Sequence, residues 1–414
     1  MDLNTVCFGM FGFLFLGYLL LEGFDYGAGM LLPFIGNSDS EKQAILRTLA
    51  PVWEGNEVWL IAAGAVLFAG FPHVYATLFS GLYFALLLIL VTLILRGIAF
   101  EFRDKDNNRQ WRTFWDWAIF FGSMVPAFFW GIAITNLLAG LPIDHEMQYA
   151  GSFGDLLNLY SLTGGLVFLL LFLLHGSIYL TLRVDHYLVP QVRKIGLITG
   201  KYAVLVSAGF IILSFLYTDL AAKLVPVMAV AALLLSLIYC CRCLQKKQYA
   251  LSFLCSTAAI VSAVLAIFVS LFPRVIVSSL SPDWSLTVYN SASNILTLKI
   301  MTITMSIVLP LVLAFEVWKY HIFRDRINII NPDGESQRLL WAQLHGQLMQ
   351  FIAHAADLAV IMKKGGTIME SNVIKSNEAL KARMIHQLQE SRELLRRGRR
   401  LASAFAKLIR LLKK

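Results

Sequence analysis

Charge is scarce in this 414-residue chain: Asp, Glu, Lys and Arg make up 15% of it, where a soluble protein carries about a quarter. Hydrophobic residues fill 58%. No water-soluble fold hides that much apolar surface, so the chain reads as an integral membrane protein. Cysteine is sparse too. Cys7, Cys240, Cys241, Cys243 and Cys255 are too few and too clustered for a disulfide framework. The three that crowd one predicted helix end lack the second ligand pair of a zinc site, which favours free thiols and packing. Of eight histidines, His175 alone lies well inside an apolar run, and haem or metal ligands usually come in sets. A hydrogen-bonded packing role is therefore expected for it. There is no glycine-rich phosphate loop, nucleophile triad or zinc spacing. The first apolar stretch has neither a basic leader nor a small-residue cleavage site and contains two acids, so it reads as a retained span.

The net charge of +9 looks like a nucleic-acid footprint until it is divided. Residues 1–330 hold 20 basic and 19 acidic side chains, whereas residues 331–414 hold 15 and 7. The basicity belongs to the tail, and no nucleic-acid partner is expected.

A hydrocarbon core needs about 20 apolar residues per helix. Apolar runs fall near 6–33, 52–71, 75–95, 115–140, 157–182, 200–218, 224–242, 249–272 and 296–318. That predicts about nine spans; eight is the alternative, because only a short polar stretch around Thr218, Asp219 and Lys223 divides the sixth from the seventh. With the N-terminus outside and the C-terminus cytoplasmic, Lys and Arg divide 17 to 2 in favour of the cytoplasmic segments, as the positive-inside rule requires. That count treats Arg96 and Lys319 as lying at cytoplasmic ends. Trp111, Trp115 and Trp117 cluster at one expected interface, as amphipathic rings do.

After Arg326 the character changes. Asn331, Pro332, Asp333 and Gly334 break the pattern, and two amphipathic stretches follow, near 335–363 and 372–413. The chain thus divides into a membrane domain, 1–327, and a basic amphipathic helical tail, 328–414, expected in the cytoplasm. The end of the tail, rich in Arg396, Arg397, Arg399 and Arg400 among Leu and Ala, suits an anionic lipid surface. A solvated helix or a coiled coil on a partner fits equally well.

Ionisable groups inside spans are costly, about 2.5–3.5 kcal/mol each even on insertion scales. Here they are grouped. Glu22 and Asp25 lie three apart in the first span, hence on one helix face, and Glu54 and Glu57 repeat that spacing at the start of the second. Such acids can relay protons inward from the cytoplasm. Alternatively, Glu54 and Glu57 are first-turn acids favoured by the helix dipole. Gly23 and Gly27 form a small-xxx-small pair that invites close helix approach and would help bring the two acid pairs together. Arg96, at the end of the third span, is expected to snorkel to the interface, to pair with Glu54 or Glu57, or to hold an anionic headgroup.

Four stretches together resemble subunit II of cytochrome bd-type quinol oxidases: Glu22-Gly23-Phe24-Asp25-Tyr26-Gly27-Ala28-Gly29-Met30-Leu31; Trp53-Glu54-Gly55-Asn56-Glu57-Val58-Trp59-Leu60; Arg96-Gly97-Ile98-Ala99-Phe100-Glu101-Phe102-Arg103; and Trp111-Arg112-Thr113-Phe114-Trp115-Asp116-Trp117 followed by Gly122-Ser123. Their order within 123 residues makes the likeness specific, and it extends over about residues 1–327. The resemblance implies an all-α polytopic protein of about nine spans, arranged as two four-helix bundles plus one peripheral helix, in a bacterial cytoplasmic (inner) membrane. It implies a respiratory terminal oxidase that oxidises quinol and reduces oxygen to water. Two b-type haems and one d-type haem are then expected in the partner subunit I and none in this chain. A small third subunit and a bound quinone are compatible with the family. By motif position, Glu22 or Asp25 and Glu54 belong to a cytoplasmic proton path, with Glu57 one turn further along. Trp53 and Arg96 match positions beside that path or a quinone. Many members carry Asp where this chain has Glu54. A different class of function, a proton-coupled secondary transporter, would use the same acids.

The tail departs from the family altogether. Truncation after Pro332 is expected to abolish binding to anionic liposomes while leaving oxidase activity intact; equal liposome binding by both forms would refute the lipid reading.

Overall fold

The structure, a computed structural model, describes residues 2–327; the tail assigned above to 328–414 lies outside them. Apolar runs fold as helices because each backbone donor and acceptor must be satisfied within its own segment once water is excluded. The order is α1 (Leu3–Ile35), α2 (Asp39–Leu49), α3 (Trp53–Gly70), α4 (Pro72–Gly81), α5 (Tyr83–Phe102), α6 (Arg109–Ala139), α7 (Leu159–Arg183), α8 (Val189–Tyr217), α9 (Leu224–Gln245), α10 (Tyr249–Leu271) and α11 (Ile295–Ile322). The fold is the all-α polytopic one expected from the sequence.

Eight of these helices are long and apolar enough to cross a bilayer, and a ninth crossing is made if α2 and α3 count as one broken span. The doubt over eight or nine therefore falls on the second span. The sixth and seventh separate cleanly, since α8 ends at Tyr217 and α9 begins at Leu224. The two parts of the second span meet at 43°, with Pro51 in the intervening turn. At 1.5 Å per residue α3 alone is about 27 Å long, slightly short of a hydrocarbon core. The amphipathic α2 starts at a capping box between Ser38 and Glu41 and buries Ile45 and Leu49.

The third span also differs from its expected limits. The span is Tyr83–Lys105, with α4 a separate short helix before it, and α5 runs on to Phe102, so Arg96 lies inside a helix and not at its end.

α1 is central, packed against α3, α6 and α7 and touching α2, α10 and α11. One apolar core joins the ends of α1 and α7 to α2, and a second lines the middle of α1, α3, α6 and α10. Another is shared by α7, α8, α9 and α10. The contact between α1 and α7 is backbone to backbone. A Cβ on Gly27 would collide with the Phe172 carbonyl and come within 2.7 Å of the Gly176 Cα. The Gly23 and Gly27 face thus serves α7, while the acids meet α3 and α5 on another side. Beyond the helices, residues 140–158 and 272–294 meet at a Leu141–Ser278 bridge, and within the second segment β1 (Arg274–Ile276) pairs with β2 (Leu286–Thr287). Gly140, with φ of +103°, ends α6 in a conformation that favours glycine. The five cysteines are free thiols, and Cys240 packs against Ser252 across α9 and α10.

Candidate functional site

The ionisable groups of four helices converge. Burying a carboxylate deep in α1 is tolerable only beside a counter-charge, and α5 supplies one. Arg96 Nη2 donates to both carboxylate oxygens of Glu22, at 3.0 and 2.7 Å. The same nitrogen reaches Glu57 Oε1 on α3 at 3.2 Å. Arg96 and Glu22 are both fully buried, and Glu57 keeps 27% of its side chain exposed. The guanidinium also lies over the Tyr26 ring, 4.8 Å from its centre. Tyr26 in turn hydrogen-bonds Tyr18, whose hydroxyl accepts from Trp130 Nε1 at 3.0 Å.

Asp25 sits one helical turn from Glu22 on α1 and is 1% exposed. Its Oδ2 accepts from Asn56 Nδ2 of α3 at 2.7 Å. Asn56 Oδ1 accepts from Tyr320 of α11 at 2.8 Å and from Lys319 Nζ at 3.4 Å. Lys319 is paired with Glu316, one turn back on α11, at 2.7 Å. Asp25 Oδ1 and Arg96 Nε and Nη1 are buried without a hydrogen-bond partner among the described residues.

The structure therefore brings Glu22, Asp25, Glu57 and Arg96 together. Glu54 stands one turn from Glu57, exposed on α3, and Trp53 stacks on Phe100 of α5 with ring centres 5.1 Å apart. Arg96 does not snorkel: two carboxylates within reach offset its burial. Its buried partner is Glu22, with Glu57 second; pairing with Glu54 is not formed.

Four members of the cluster escaped the sequence reading: Asn56, Glu316, Lys319 and Tyr320. Asn56 is uncharged, so a search for ionisable groups passes over it. By sequence Lys319 reads as a cation at a cytoplasmic end, yet α11 runs on to Ile322 and buries it. The signal was present in the spacing of Glu316 and Lys319, an acid and a base three apart at a span end.

His175 is committed elsewhere. Its ring stacks on Phe253 at 4.7 Å and Nδ1 shares a 2.7 Å hydrogen bond with Ser256. Among the described residues, no three of His, Cys, Asp and Glu gather as metal ligands would.

Residues 3–323 match the family model described as cytochrome bd terminal oxidase subunit II. Subunit 2 of the cytochrome bd ubiquinol oxidase of Bacillus subtilis (strain 168) is 38% identical over 338 residues, covering 80% of this chain and 98% of that protein. The cytochrome bd-I ubiquinol oxidase subunit 2 of Escherichia coli (strain K12) is 31% identical over 359 residues, covering 76% and 93%. A chain of the bd oxidase from Geobacillus thermodenitrificans shares the fold, with a TM-score of 0.64 at 19% identity over 78% of this chain and 99% of that one.

Proposed function

We propose, from the premise that this chain belongs to the cytochrome bd terminal oxidase subunit II family, that it serves a haem-bearing subunit I as scaffold and as a route for protons. The relatives are subunits of a quinol oxidase, so the chain is a component of an oxidoreductase complex in a bacterial membrane. On this reading electrons pass from quinol to oxygen through haems held by subunit I. His175, stacked and hydrogen-bonded as it is, does not suit a haem ligand. The N-terminus is outside and the C-terminus in the cytoplasm, and the 328–414 segment is a separate basic tail. The spans group as two four-helix bundles with one peripheral helix.

The observation that carries the proton route is the convergence of Glu22, Asp25 and Glu57 around Arg96 inside the protein. Three acids and one arginine, all ionised, would leave excess negative charge in a medium that disfavours it. An arginine does not release its proton, so Arg96 fixes the local potential while the carboxylates exchange protons. Glu54, exposed at the cytoplasmic start of α3, is the entry. Glu57, half in and half out, joins it to the buried pair. The unpaired atoms, Asp25 Oδ1 and Arg96 Nε and Nη1, mark where bound water would bridge the relay. Trp53, packed on Phe100, walls the route beside Glu54, where a quinone or lipid headgroup can also lie.

Replacing Glu54 by Gln in the complete oxidase is expected to lower quinol-driven oxygen uptake, and the charge taken up with it, by about tenfold. That is a small effect for loss of a proton-transfer group. Haem content, read from the reduced-minus-oxidised spectrum, should stay at the parental level. Unchanged oxygen and charge uptake would remove Glu54 from the route.

A further inference from the structure

The last span buries few side chains. The buried residues of α11 are Leu298, Glu316 and Lys319, so two of the three carry charge on a helix whose apolar residues mostly face outward. In lipid an outward apolar face is ordinary, and what asks for an explanation is the pair of charges turned inward. Lys319 is 1% exposed, and its Nζ occupies the space above Gly55, where a Cβ would come within 2.6 Å. The lysine therefore depends on a glycine in the Trp53–Leu60 stretch of α3 as well as on the acid of its own helix.

Its connection to Asp25 runs through one amide with a single workable orientation. Lys319, at 3.4 Å, has N–H donors and no acceptor, so the oxygen of Asn56 must face it, and there it also accepts the Tyr320 O–H at 2.8 Å. The Asp25 carboxylate and the Leu21 carbonyl offer acceptors, at 2.7 and 3.5 Å, so the NH2 must face those. Rotating the amide by half a turn would break three of the four contacts, sparing only the Tyr320 hydroxyl, which can also accept. Donors on its oxygen polarise the amide and strengthen its N–H donation to Asp25. Asp25 faces Glu22 along α1, Asn56 and Glu57 from α3, Arg96 from α5, Tyr179 from α7, and Lys319 and Tyr320 from α11, with Glu316 behind Lys319. Of the two cations in that set, Lys319 is the one that acts through Asn56.

We propose that Lys319, with Tyr320, is a positioning residue for the proton on Asp25: it fixes the Asn56 amide and supplies the positive charge that keeps Asp25 able to give its proton up. This rests on the proton route described above and adds the last span to it. Lys319 exchanges no proton in this scheme. A proton arriving at Asp25 forms its O–H, and on leaving for the next acid or water it restores a carboxylate that accepts from Asn56.

The test uses the complete oxidase carrying Lys319→Met or Lys319→Arg, with oxygen uptake per haem measured across pH. Loss of a nearby cation makes the Asp25 proton harder to release. The acid-side limb of the profile in Lys319→Met should therefore move to higher pH, by about one unit, while Lys319→Arg keeps the parental limb. A parental limb in Lys319→Met at equal haem content would overturn the proposal, as would equal displacement in both variants. Should Lys319→Met not assemble, Tyr320→Phe removes one hydroxyl and no charge. It must move the same limb in the same direction by a smaller amount, and an unmoved limb there overturns the proposal. Asp25→Asn separates the two levels of argument. Parental turnover in it refutes the route itself, whereas slowed turnover beside an unmoved limb in Lys319→Met refutes the role of Lys319 alone.

Discussion

Substituting Arg96 by leucine is expected to cost about 3–5 kcal/mol, the range for removing one partner of a buried ion pair, and to reduce sharply the yield of assembled, haem-containing oxidase. The reason is what is left behind. Glu22 accepts both of its charged contacts from Arg96 and is fully buried, so without the guanidinium it is stranded as an anion or forced to hold a proton. Glu57 loses its 3.2 Å contact too, but with part of its side chain exposed it can be solvated. The double variant Arg96→Leu with Glu22→Leu should assemble better than the single one, because two apolar side chains strand no charge. It should still turn over slowly, because the route is cut. Yield and oxygen uptake per haem separate these effects; a double variant no better assembled than the single would show that Arg96 matters for something other than neutralising Glu22.

Gly27→Leu should be comparably damaging by an uncharged mechanism. The new side chain would start inside the Phe172 carbonyl and against Gly176. These are backbone atoms of α7 that cannot rotate aside, so the helices must separate. Overpacking of this kind costs about 3 kcal/mol, and here it opens the crossing next to Asp25. Gly9, on the same helix, has nothing within 4 Å of its Cβ position and is the control. Gly9→Leu should leave the thermal midpoint of haem loss from the complex unchanged while Gly27→Leu lowers it by several degrees. Equal behaviour of the two would mean that the α1–α7 crossing is not as close as described.

Among the parts of this site, those legible in the sequence share one property: they violate the composition of their surroundings. Glu22 and Asp25 stand out against Leu19, Leu20 and Leu21, and Glu54 and Glu57 stand beside two tryptophans. An acid in an apolar run needs an explanation wherever it ends up. The partners were harder to name. Arg96 had three candidate fates by sequence, and the one adopted depended on α5 continuing past it to Phe102, which apolar length alone does not show. Asn56 and Tyr320 are unremarkable letters until their atoms are within hydrogen-bond distance of each other. Glycines showed the same division. The Gly23–Gly27 spacing pointed to a close crossing, yet not to which helix would fill it, and α7 does.

Membrane insertion, the all-α class, the number of spans to within one, and the presence of acids within an apolar run were determined by the sequence alone. Each follows from a local quantity: apolar length against bilayer thickness, or the cost of charge along one helix. Tertiary structure decided which charges cancel. Glu22 meets Arg96 across 74 positions and Asn56 meets Lys319 across 263. Coulomb and hydrogen-bond energies depend on distance in space, and no local pattern in the chain encodes those separations.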